Sequence, residues 1–65
     1  MEEYQERAVQ EYKELEERIS KLEVFQGTHA WRVLPSDEAA DMYEQCRIMK
    51  QYSAVLLKRI KRWES

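Results

Sequence analysis

Sixty-five residues with a net charge of −2 and 37% charged positions allow one small domain and exclude a low-complexity chain, since only one Gly and one Pro are present. A core this small usually needs disulfides, a metal or oligomerisation to be stable. Cys46 is alone and His29 has no Cys or His partner at ligand spacing, so oligomerisation is what remains. The lone thiol, the lack of an apolar run of roughly 18 residues and the charged beginning read as a soluble protein of a reducing cytoplasm.

The first predicted element is a helix over about 1–25. Its apolar residues are Met1, Tyr4, Ala8, Tyr12, Leu15, Ile19 and Leu22, and the successive steps of four at 4–8–12 insert one stutter into an otherwise heptad spacing. Glu3→Arg7, Glu14→Arg18 and Glu17→Lys21 are i,i+4 pairs in the favourable order, each contributing about 0.2–0.5 kcal/mol. Gly27 is expected to end the helix in a left-handed conformation. An irregular segment follows over about 26–36, and it is rich for a loop: His29, Trp31, Arg32, Val33 and Leu34. Trp31, Val33 and Leu34 are expected to fold back over the end of a hairpin. Pro35 biases Leu34 away from helical geometry, and Ser36 is expected to cap the second helix, with Asp37 and Glu38 complementing its dipole.

The second helix, over about 37–63, carries the strongest pattern in the chain. Ala39, Met42, Cys46, Met49, Ser53, Leu56, Ile60 and Trp63 alternate steps of three and four without a break, which is the seam of a coiled coil. Ala39, Cys46 and Ser53 are small and permit a close backbone approach. A second apolar line of Ile48, Tyr52 and Val55 lies beside the seam, so this helix offers more surface than one antiparallel partner covers. Residues 1–25 hold eight acids and four bases, a charge of −4; residues 26–65 hold seven bases and five acids, a charge of +2. Antiparallel packing brings Glu2, Glu3 and Glu6 near Lys58, Arg59, Lys61 and Arg62, which selects orientation more than stability. The expected fold is therefore all-α: an antiparallel, coiled-coil-like two-helix hairpin, a single domain over 1–65, that oligomerises.

Chemistry is harder to find. Ser20, Ser36 and Ser53 have no histidine at relay spacing, the carboxylates sit on a solvated face in i,i+4 pairs, and Cys46 falls on the seam, where a thiol is buried and inert. No enzyme activity, metal or cofactor is expected. His29, Trp31 and Arg32, with Arg47 and Lys50, form a candidate pocket for an anionic ligand that carries a base, because aromatic rings stack bases and guanidinium groups grip phosphate. The plain alternative is that Trp31 plugs the hairpin tip while Arg32 and Arg47 stay solvated. Tyr43 and Tyr52 fall off the seam, where a neighbouring subunit or a ligand should touch. The acidic balance of the chain weighs against nucleic acid.

Leu34, Glu38, Gln45, Met49, Tyr52, Leu56 and Arg59-Ile60, after a charged helix ending Leu22-Glu23-Val24-Phe25, resemble small proteins of tailed bacteriophages labelled as related to a crAss-phage protein. Met42 stands where that pattern has a leucine. In size, hairpin plan and aromatic and basic residues near the turn, the chain is also similar to the phage anti-CBASS and anti-Thoeris sponge proteins. Those assemble into oligomers and hold cyclic nucleotides or cyclic ADP-ribose-type signals without cleaving them. The resemblance implies a non-enzymatic counter-defence protein of the host cytoplasm, self-assembled through the 39–63 face and holding such a signal at subunit interfaces. Trp31, Tyr43 and Tyr52 would stack the base, and Arg32, Arg47 and Lys50 would neutralise the phosphates. The competing expectation is a helical module that docks on a host protein and binds no small molecule; a third is a structural coiled-coil element.

Overall fold

The computed structural model describes residues 1–64 and contains three helices: α1 (Glu3–Gln26), α2 (His29–Arg32) and α3 (Ser36–Glu64). α1 and α3 pack against each other as an all-α hairpin. The molecule measures 45 × 17 × 15 Å. Its long dimension is set by α3, whose 29 residues span about 43 Å at the helical rise. The two helices run antiparallel, because Tyr4 near the start of α1 meets Trp63 near the end of α3, with ring centroids 5.6 Å apart and nearly perpendicular. Arg59 reaches over the same Trp63 ring at 5.4 Å.

The core follows the seams. Ala8, Leu15 and Ile19 of α1 and Cys46, Ser53, Leu56 and Ile60 of α3 are buried, with Tyr12, Leu22, Met49 and Trp63 packed beside them. Leu56 is fully buried. Small side chains at Ala8, Cys46 and Ser53 let the two backbones come together, and the neighbouring Leu and Ile side chains fill the space between. Of the local ion pairs, Glu3–Arg7 closes at 2.6 Å and Glu17–Lys21 at 3.3 Å. Glu14 instead accepts from the Gln10 amide at 3.1 Å. The capping signal at the start is Gln5, whose Oε1 accepts from the Glu2 N–H at 2.9 Å.

The turn departs from expectation in four ways. Residues 29–32, expected to be irregular, form the one-turn helix α2. Gly27 is not left-handed: its φ is −91°, and an added methyl would meet only the Val24 carbonyl at an ordinary 3.5 Å. The reason is Thr28. Gly27 and Thr28 donate their N–H groups back to Val24 and Phe25 at 3.0 Å. The Thr28 hydroxyl then donates to the Phe25 carbonyl at 2.6 Å and accepts from Trp31 N–H at 3.3 Å. One helix is closed and the next opened with no change of hand. Ser36 is not the cap but the first residue of α3; Pro35 stands before it and its carbonyl accepts from Ala39 N–H at 3.0 Å. Finally, Val33 is 65% exposed and does not fold back, whereas Trp31 packs edge-on to Phe25 at 6.0 Å and Leu34 is half-buried. Thr28→Ala removes both hydroxyl bonds at this corner and is expected to cost about 0.5–2 kcal/mol, read as a lower urea midpoint with an unchanged slope.

Candidate functional site

Three of the six predicted ligand residues come together. Tyr43, Arg47 and Lys50 lie one turn apart on one side of α3 and, with Gln26 from the end of α1 and the edge of Cys46, line a recess of about 90 Å³. Lys50 also forms the wall of a second recess of about 260 Å³, completed by Tyr12 and Glu16 of α1 and by Ser53, Ala54 and Leu57 of α3. The two are therefore neighbours along one flank, with a tyrosine at each outer end and the Lys50 ammonium shared between them. Together they fall at the lower end of the roughly 300–1,000 Å³ of small-molecule sites.

The other three residues are elsewhere. Trp31 and Arg32 do not line either recess; Trp31 packs on Phe25 at the hairpin tip and Arg32 is exposed in the last turn of α2. Tyr52 follows Tyr43 by nine residues, about two and a half helical turns, and so faces the opposite flank. There its hydroxyl donates to the Glu11 carboxylate at 2.5 Å.

The recess cations already hold carboxylates. Arg47 grips Glu44 with two nitrogens, one of them Nε at 3.0 Å. This hydrogen bonding raises the Arg47 pKa and lowers that of Glu44. Lys50 reaches across to Glu23 of α1 at 2.7 Å, and that hydrogen bond raises its pKa. Both pairs are about half-exposed, so they are weak and salt-sensitive, and a phosphate of higher charge density competes with them at little cost. Gln26 adds an unmet need: its Nε2 is buried and has no hydrogen-bond partner. A buried donor left unpaired costs about 1–3 kcal/mol.

Residues 2–62 match the family model described as Sequestin. The chain belongs to the Sequestin family. No curated protein and no solved structure matches it. The match to Sequestin runs from Glu2 to Arg62 and so spans the positions of every residue that lines the two recesses. No helix among the described residues of this Sequestin-family chain is long and apolar enough to cross a membrane.

Two residues of this flank escaped the sequence reading. Tyr12 reads as seam, yet it is only half-buried and its hydroxyl donates to Glu16 at 3.1 Å. The stutter at 4–8–12 was its available signal, since an interrupted heptad turns a residue partly out of the core. Gln26 carries no signal in sequence; its importance comes from being buried without a partner.

Both tyrosine–carboxylate bonds have a consequence at high pH. Each hydrogen bond to a carboxylate holds the phenol proton and raises the pKa of Tyr12 and Tyr52 above the ordinary value of about 10. A raised folded pKa means a contribution fully present below the unfolded value and lost as pH rises through the folded one. Melting temperature should therefore fall above about pH 10, and Tyr52→Phe should flatten that fall.

Proposed function

We propose that the protein sequesters, without converting it, a two-ended nucleotide-derived anion of the cyclic dinucleotide or cyclic ADP-ribose type, as a non-enzymatic phage counter-defence protein that works as a homo-oligomer in the host cytoplasm. The observation that carries this reading is the flank on which Lys50 joins two recesses, each with a tyrosine at its outer end. A molecule with phosphates between two ring systems fits that order: one ring on Tyr43, phosphate oxygens on Arg47 and Lys50, the second ring toward Tyr12 and Leu57. Stacking contributes about 1–3 kcal/mol per base, and charged groups supply selectivity for the anion. The Gln26 amide would donate to a phosphate or carbonyl oxygen.

The family name, Sequestin, supports sequestration as the activity. Tyr52 leaves the ligand set in this reading because it faces the other flank; Trp31, which packs on Phe25 at the turn, and Arg32, which lines neither recess, leave it too. The flank holds no nucleophile positioned by a base: the nearest sulfur, Cys46, is buried in the seam. Equilibrium dialysis of the purified protein against cyclic dinucleotides, cyclic trinucleotides and ADP-ribose-derived signals tests the proposal. One compound should be retained saturably and recovered chemically intact after heat denaturation. Recovery of a cleaved product would make the protein an enzyme, and no retention across the panel would leave the protein-docking module as the better account.

A further inference from the structure

α3 carries a second seam that α1 does not cover. Asp41, Gln45, Ile48, Tyr52, Val55, Arg59 and Arg62 follow one another in alternating steps of four and three. Ile48 is 52% exposed, Tyr52 44% and Val55 53%, so the apolar middle of this line faces outward. Its ends are opposite in charge. Asp37, Asp41 and Glu44 stand at one end, and Lys58, Arg59 and Arg62 at the other.

A line that is acidic at one end, apolar in the middle and basic at the other complements itself only when reversed. Two parallel copies would set acid on acid and base on base; two antiparallel copies set each end on its opposite.

The geometry points to a second copy of this chain as the occupant of the line, packed antiparallel about a two-fold axis between Ile48 and Tyr52. In that register Ile48 lies on the partner's Tyr52, Gln45 on the partner's Val55, and Asp41 on the partner's Arg59. Each contact occurs twice, as a two-fold interface requires. Glu11 already ties the Tyr52 hydroxyl to α1, so the central ring is in place before association and little ordering remains to be done. The recesses of Tyr43, Arg47 and Lys50 face away from this interface and stay open in both copies. This inference deepens the self-assembly in the proposed function and needs no ligand, so it stands or falls separately from the ligand.

Sedimentation over a concentration series of the ligand-free, full-length protein is the test. The wild type should show twice the chain mass. Asp41→Arg and Arg59→Asp should each raise the dissociation constant by about tenfold or more, because each sets like charges against one another. The double variant D41R/R59D should bring it back to near the wild-type value. Ile48→Glu, at a position the hairpin itself leaves exposed, should give a monomer of unchanged helicity by circular dichroism. A wild type that stays monomeric, association that ignores both single reversals, or a double variant that fails to recover overturns the proposal.

Discussion

Arg47→Glu is expected to abolish stabilisation by ligand while leaving the helical circular dichroism signal unchanged. A ligand that binds only the folded chain, present at 100 times its Kd, adds about 2.7 kcal/mol. In a domain of this size each kcal/mol moves the melting temperature by about 4–8 °C, so the wild-type shift should be of the order of 10–20 °C. The variant removes the fork proposed to grip phosphate and puts a negative charge where the proposed ligand's anion would lie, beside Glu44. Its effect on the hairpin is small, because Arg47 is on the exposed side of α3 and its ion pair with Glu44 lies within that helix. Lys50→Met should weaken binding too, and with a lower salt dependence than the wild type. A shift retained in full by Arg47→Glu would remove Arg47 from the site and, with it, the Tyr43 recess.

Leu56→Ala should unfold most of the population. Truncating a buried leucine costs about 2–5 kcal/mol, through lost transfer energy and the cavity left behind. Small domains have only about 0.05–0.15 kcal/mol of stability per residue, a few kcal/mol for this chain. Leu56 is the one side chain fully buried among the described residues, and Ala8, Leu15, Ile19 and Cys46 share its cluster. The core has no second layer to absorb the loss. Urea titration followed by circular dichroism should show a midpoint near zero denaturant. Truncation of exposed Lys58 should move the midpoint by no more than about 0.5 kcal/mol of stability. A Leu56→Ala chain with a wild-type midpoint would mean that the stability lies elsewhere, in contacts between copies.

The helices and the choice of buried side were legible in the residues because helix packing is periodic. A side chain's place on a 3.6-residue turn is fixed by its number, and the line from Ala39 to Trp63 is buried or half-buried throughout. The antiparallel direction was legible from charge, with the acidic beginning set against the basic end, and the Tyr4–Trp63 contact realises it. The turn was only partly legible. Gly27 does stop α1, though at φ −91° and not in the left-handed conformation, whereas the one-turn helix opened by Thr28 was not read and Pro35 stands in the position expected of Ser36. Local capping competes over one or two residues by fractions of a kcal/mol, and composition does not decide such contests.

By itself the sequence determined an all-α hairpin, its seams, and a surplus face on α3, because each follows from spacing along a single helix. Only the tertiary structure decided which candidate residues share a site. Tyr43, Arg47 and Lys50 were joined by Gln26 and Tyr12 from the other helix, while Tyr52 was turned to the opposite flank and Trp31 was spent on Phe25. The physical reason is that a site built across two helices depends on how far one slides and rotates against the other. That offset is set by the packing of Ala8, Cys46, Ser53 and Leu56 at the contact, a property of the pair and of neither helix alone.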